Sequence, residues 1–256
     1  MKQPRRWLFD LGNTRLKWVL ADALGDNDAR ALSHADASDA AALDAAFSDI
    51  RVGDRGWIAS VASPALTASI EAALARRGVQ VTHAITRRAC AGVRIAYADP
   101  LRLGVDRFLA LLAAHARAPG AWLIASVGTA LTIDLIAVDG THHGGLIAPA
   151  PTLMREALAQ RAPQLPVAGG NVVDFASDTA DALASGTILS ARALIAHSLR
   201  AARRRLRATP ALLVTGGGAP AVCDGWRVRT ERAPDLVLRG LQVYAQTVRE
   251  RVLRLD

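Results

Sequence analysis

The sequence predicts an α/β protein built of two duplicated halves, and three observations point there. Segments of strand and helix periodicity alternate along the chain, which is the pattern of a layered α/β fold. The opening run Trp7-Leu-Phe-Asp-Leu-Gly12 recurs as Leu123-Ile-Ala-Ser-Val-Gly128, an offset of 128 − 12 = 116 residues. Pro119-Gly120 lies between the two copies and marks a joint, so residues 1–118 and 119–256 are the expected domains.

The elements follow in order. Trp7 to Phe9 and Trp18 to Ala21 are apolar, β-prone runs around a turn-rich tip, which predicts a hairpin with Asp10 at the end of its first strand. A third strand is expected after the turn at Gly25. Residues 35–47 have helical spacing, with Ser38 as the expected N-cap. Residues 57–61 read as a buried strand, 66–77 as a helix closed by Gly78, and 79–85 as a further strand. Pro100 and Gly104 make a loop that runs into a helix from Phe108, with Asp106 and Arg107 in the first turn. In the second half, residues 131–138 and 144–149 are strands, and a helix is expected over 152–160. A turn-rich loop spans 162–178. Residues 179–207 are helical with a break at Gly186, and 211–214 form a strand ending in Thr215-Gly-Gly-Gly218. Residues 236–253 close the chain as an amphipathic helix.

The first hairpin is chemically loaded. Gly12 lets backbone approach a ligand closely, and Asn13 and Thr14 can donate to phosphate oxygens. Lys17 adds a compact positive charge; among 31 Lys and Arg residues, lysine occurs only at Lys2 and Lys17. Asp10 is the complement, because a carboxylate beside phosphate calls for a hard cation such as Mg2+ between them. Taken alone, the stretch fits either a metal-nucleotide phosphate cradle or an ordinary turn. The loop from Tyr97 to Arg107 likewise gathers an aromatic, an acid and a base at a helix N-terminus, where anions bind. There too, a dipole-matching aspartate and a surface arginine are the simpler alternative.

Composition narrows the class. With 51% hydrophobic residues the chain has ample material for a core. Cys90 and Cys223 lie far apart without metal-ligand spacing, so no disulfide framework or zinc site is expected and a reducing cytoplasm fits. The basic start is followed by a charged hairpin in place of an apolar run, which argues against a signal peptide. No run reaches the roughly 18 apolar residues of a membrane span. The net charge of +8 invites nucleic acid, but with 4% aromatic residues there is little to stack on bases. Small anions such as ATP suit that field better.

Together, Asp10-Leu-Gly-Asn-Thr14 with Lys17, Tyr97 with Pro100, Gly104-Val-Asp-Arg107, Gly128-Thr-Ala130 with Thr132 and Asp134, Gly144-Gly145-Leu-Ile147, Thr179 with Gly186, and Thr215-Gly-Gly217 resemble the motifs of type III pantothenate kinases, over nearly the whole chain. These belong with acetate kinase, sugar kinases, heat-shock ATPases and actin. The resemblance implies two ribonuclease-H-like, actin-like ATPase domains with ATP in the cleft between them, and a homodimer. It implies that Asp10, Leu11, Gly12, Asn13, Thr14, Arg15, Leu16 and Lys17 hold the ATP phosphates, with Asp10 reaching Mg2+ through water, and that Thr129 is a further ATP contact. Tyr97, Gly104, Val105, Asp106, Arg107 and Thr179 would bind pantothenate, Asp106 being the general base. Arg107 would meet either the pantothenate carboxylate or the transferred phosphoryl. Three positions depart from the family pattern. Ser126 stands where an aspartate usually ligates a monovalent cation (K+ or ammonium), and its neutral hydroxyl supplies a weaker field, although a backbone carbonyl site remains open. Ala150 replaces a glycine and disfavours a positive φ. Gly218 replaces an acidic residue beside the adenosine. A non-catalytic accessory factor affecting transcription, known among relatives, is the alternative reading, but a chain without phosphoryl transfer has no need of both Asp10 and Asp106.

Overall fold

The structure, a computed structural model, describes residues 4–25 and 29–253. Strands β1 (Arg6–Leu11) and β2 (Arg15–Leu20) form the expected antiparallel hairpin, with Asp10 opposite Lys17, and β3 (Arg30–Ser33) continues it. Helices α1 (His34–Ala37) and α2 (Ala40–Ala46) lead to β4 (Arg55–Ser60), which lies parallel to β1. Helix α3 (Pro64–Arg76) returns the chain to β5 (Gln80–His83), parallel to β4. The sheet order is β3-β2-β1-β4-β5. A two-stranded ribbon, β6 (Ala89–Cys90) and β7 (Val93–Arg94), and a loop then precede α4 (Val105–Arg117).

The second half repeats this plan. Strands β8 (Trp122–Val127), β9 (Ala130–Ile136) and β10 (His142–Pro149) form an antiparallel meander. Helices α5 (Pro151–Arg161) and α6 (Thr179–Leu206) follow, then β11 (Ala211–Thr215) parallel to β8, α7 (Ala219–Cys223) and β12 (Glu231–Arg232). The order β10-β9-β8-β11-β12 matches the first sheet strand for strand. Strand β8 begins 122 − 6 = 116 residues after β1, the offset read from the two glycines.

Period-two alternation divides each sheet into two faces. In the first, Trp7, Phe9, Leu11, Leu16, Trp18 and Ile58 pack with Leu43 of α2, Phe47 just beyond it, and Ile70 and Leu74 of α3. Each fully buried side chain of this kind contributes about 1.5–3 kcal/mol relative to exposure. At the strand entrance, buried Asp54 accepts hydrogen bonds from the Arg5 guanidinium (2.7 Å) and the Trp7 indole (2.9 Å). Burial alone would raise its carboxyl; these bonds and the Arg51 N–H outweigh that and hold it below 3.8. In the second sheet, Leu123, Ala125, Val127, Leu131 and Ile133 pack with Ile188, Ala191 and Ile195 of α6. Helix α6 is long and apolar enough to cross a membrane by length and composition, but this buried face makes it the core helix of its unit.

Several expectations need correction. The helix expected over 35–47 is two helices: Ser33 caps α1, Asp39 caps α2, and Ser38 ends α1, its hydroxyl donating to the His34 carbonyl at 2.7 Å. Helix α6 runs through Gly186 without a break. The last helix, α8 (Leu236–Leu253), has the expected bounds but not the expected membership. The chain divides into one unit of residues 1–117 with 235–256 and another of residues 118–234. Helix α8 packs along α4, where Gly240 leaves room against the Leu109 carbonyl, so residues 119–256 do not form one domain.

Candidate active site

In the first unit, the face of the sheet opposite the α2 and α3 core carries Leu8, Asp10, Lys17, Val19, Trp57 and Ala59, because these positions alternate with the core residues and pair with one another in register. Helices α4 and α8 cover that face: Tyr244 of α8 stacks edge-on against Trp57 and against Phe108 of α4, at 5.9 and 6.3 Å between ring centres. The N-termini of both helices carry an aspartate. Asp106 lies in the first turn of α4, and Asp235 precedes α8, with the Arg239 N–H donating to its carbonyl at 3.0 Å. Helix dipoles favour carboxylates at those ends.

Strand alternation and two helix starts thus bring Asp10, Lys17, Asp106 and Asp235 into one electrostatic cluster. Asp10 is half-buried, and its pKa is pushed up to about 7, first by burial, against the lowering pull of Lys17, and further by the charges of Asp106 and Asp235. Lys17 Nζ lies 3.6 Å from Asp235 Oδ1. Asp235 was missed by sequence reading, since an acid before a helix looks like an ordinary cap and only the tertiary fold sets it against Lys17.

The loop from Tyr97 to Arg107 is anchored at both ends. Thr86 Oγ1 donates to the buried Leu103 carbonyl at 2.8 Å, and Asp99 caps the short turn at Pro100–Arg102. The Asp106 carboxylate folds back over Gly104; a Cβ there would sit 2.6 Å from Oδ1, so glycine is what this arrangement admits. Val105 begins α4, and Arg107, 6% exposed, donates to Tyr97 Oη at 3.2 Å while its guanidinium lies 5.9 Å from the Tyr97 ring centre. Within the hairpin, Gly12 N–H donates to the Arg15 carbonyl at 3.1 Å, leaving Asn13 and Thr14 exposed at the tip beside Arg15. Leu11 and Leu16 are fully buried in the core, so of these two only backbone can meet a ligand.

The remaining predicted residues lie in the second unit. Ser126 is the counterpart of Asp10, since 126 − 10 = 116, and stands opposite Thr132 in register and beside Thr215. The duplicate of the acid-lysine pair is therefore a set of hydroxyls. Thr129 is exposed at the second hairpin tip, its carbonyl accepting from the Ala150 N–H at 3.3 Å, and Ala150 has an ordinary φ of −75°. Thr179 is exposed at the first position of α6, which Asp178 caps. A cavity of about 650 Å³ opens beside this hairpin, lined by Gly128, Pro151, Arg155, Asn171, Arg192 and Gly218 among others. The Gly216 to Gly218 turn lies directly on β8: the Gly218 N–H donates to the Val127 carbonyl at 2.9 Å, and a Cβ at 218 would meet Val127 Cγ1 at 2.7 Å. A side chain at 218 would therefore have to displace Val127. Arg192 and Arg155 brace the cavity walls by donating to the Val222 and Gly169 carbonyls, and no local motif announces either role.

Comparison with known proteins decides the family. The family model described as type III pantothenate kinase matches residues 7–201, a span that holds the first hairpin, the loop from Tyr97 to Arg107 and the second hairpin, and that ends within α6. The chain belongs to the type III pantothenate kinase family. It is 52% identical over 240 residues to the type III pantothenate kinase of Xanthomonas oryzae pv. oryzae, covering 93% of this chain and 96% of that one. Among solved structures, a Baf family protein of Campylobacter jejuni, described as a transcriptional activator, superposes with a TM-score of 0.61 at 17% identity, covering 96% of this chain and 99% of that one. MreB 5 of Spiroplasma citri, bound to AMPPNP, superposes with a TM-score of 0.53 at 13% identity over the full length of both chains. At these identities the two structures speak to the fold, which is that of two ribonuclease-H-like units.

Proposed function

We propose that this chain phosphorylates pantothenate with ATP to give 4′-phosphopantothenate, the first step of coenzyme A biosynthesis. Family membership at 52% identity over nearly the whole chain carries the reading. The acid-lysine cluster of the first unit supports the assignment of roles. The pantothenate hydroxyl attacks the γ-phosphorus of ATP, its proton passes to Asp106, the bond to the bridging oxygen breaks and ADP leaves. Asp106 suits the role of base because it is half-exposed at a helix start, with its carboxylate folded back over Gly104. Buried Arg107, steadied by Tyr97, supplies fixed positive charge for an anionic substrate. Thr179 is a further substrate contact in this reading.

The amides at Gly12 to Arg15 and the Lys17 ammonium hold the ATP phosphates, and Thr129 is a further ATP contact. Asp10 is the residue this reading gives to Mg2+: it is a hard oxygen donor beside the phosphate hairpin, and since no three acidic side chains among the described residues converge into a metal cage, ATP phosphates and water would supply the other ligands. When bound, Mg2+ offsets the phosphate charge that grows in transfer. Ser126 supplies only a hydroxyl for a monovalent cation. The same reading places the chain in the cytoplasm and makes it a homodimer.

The test is ADP release by the purified chain with ATP, Mg2+ and pantothenate, with and without K+ or ammonium. Pantothenate-dependent turnover is expected, and Asp106→Asn is expected to lower kcat by about 10²–10⁴-fold with the fold intact. Absence of turnover from folded protein under every salt would overturn the reading.

A further inference from the structure

The first hairpin tip is held by one residue through two contacts. The His34 backbone N–H donates to the Thr14 carbonyl at 3.1 Å, and His34 Nε2 lies 2.9 Å from the Gly12 carbonyl. A carbonyl only accepts, so Nε2 carries the hydrogen. The duplicated architecture separates what the fold requires from what has been added. The counterpart of His34 is Ala150 by strand register: Ser33 pairs with Arg15 and Pro149 with Ala130 at the far side of each hairpin, and the next residue in each case is where the third strand of a meander passes into a helix. The Ala150 N–H donates to the Thr129 carbonyl at 3.3 Å, repeating the backbone contact of His34. Alanine has no donor side chain. The imidazole is thus an addition to the hairpin that carries Asp10, Asn13 and Lys17, made on top of a brace that suffices elsewhere in the chain.

We infer that His34 is a positioning residue for nucleotide binding, which fixes the Gly12-Asn13 peptide so that its N–H and not its carbonyl faces the phosphates. In a trans peptide the C=O and N–H point opposite ways, so holding the Gly12 oxygen against the imidazole turns the Asn13 N–H away from it, toward the outside of the tip. Gly12 has no Cβ to resist rotation of that plane, and a Cβ there would meet nothing closer than the Arg15 carbonyl at 3.6 Å. Without the ring, the peptide is free to flip and present an oxygen to an anion. The ring acts through the backbone and does not itself touch the nucleotide.

This rests on the reading of the hairpin as the phosphate site, and the experiment separates the two. Binding of ADP and of a non-hydrolysable ATP analogue with Mg2+ is measured by calorimetry for the wild-type chain, His34→Ala and His34→Gln, beside the KM values for ATP and pantothenate and the melting midpoint of each. The expected result is nucleotide binding and KM for ATP weakened roughly threefold to tenfold in His34→Ala, the pantothenate KM unchanged. His34→Gln, whose amide can donate from a position close to that of Nε2, is expected to recover most of the loss. Wild-type binding matched by His34→Ala would overturn the inference alone. A loss in His34→Ala that tracks the melting midpoint, or that Gln fails to rescue, would also overturn it and leave a structural brace. A folded wild-type chain that binds neither nucleotide would overturn the phosphate reading and this inference with it.

Discussion

Asp10 pays for its position in the free protein. Its pKa, raised from 3.8 to about 7, means that the folded chain binds a proton there that the unfolded chain releases. For a raised group the favourable contribution is complete below the unfolded value and is lost as pH rises through the folded one. Stability of the nucleotide-free chain is therefore expected to fall between about pH 4 and 7, by at most about 1.4 kcal/mol per pH unit from this residue. Urea unfolding across that range reads the slope, and Asp10→Asn is expected to flatten it. An ionised Asp10 suits Mg2+ better than a protonated one, so binding of preformed Mg2+-ATP at pH 6 is expected to release more protons in the wild type than in Asp10→Asn. Calorimetry in two buffers of different ionisation enthalpy measures it. The residues of this site were legible to different degrees. Asp10, Lys17 and Asp106 announce themselves by local motifs, whereas Asp235 and His34 act through contacts made only when distant segments meet.

At the scale of elements, strand and helix positions followed from periodicity, while the joints between them did not. Residues 33–39 hold two serines and two aspartates that compete as caps, and the winner was set by the β3 strand that fixes Ser33 opposite Arg15. The packing of α8 on α4 gave no local signal, because its residues lie over a hundred positions apart in sequence. Gly240 is the point where that packing is closest: a Cβ would stand 1.9 Å from the Leu109 carbonyl oxygen, a backbone atom that cannot turn aside. Gly240→Ala is expected to push the helices apart and destabilise by about 3 kcal/mol. The melting midpoint would fall by roughly 6–12 °C, measured by circular dichroism. Gly217, with no neighbour within 4 Å of its missing Cβ, is the contrasting control and is expected to tolerate alanine with little change.

At the scale of the whole molecule, duplication was legible because two short hairpins preserved their glycines, and the prediction of one unit per half failed only in the last helix. The first unit needs residues from both ends of the chain, while the second is one continuous run inserted into it. A chain stopped after Pro234 is expected to keep slow hydrogen exchange in residues 118–234 and to lose it in β1, β4 and α4, whose Phe108 and Leu109 would be uncovered. Mass spectrometry of the exchanged peptides reads both. The interruption also sets an order of events on the ribosome. The second unit can close as soon as its last strand emerges, yet the first must wait for residues made after it. At about 5–20 residues per second the 117 residues between Ala118 and Pro234 take roughly 6–23 s to synthesise. For that interval the nascent first sheet holds Leu8, Val19 and Trp57 with α4 but without α8, the second of the two helices that cover them, so the part of the protein that begins first is the part that finishes last.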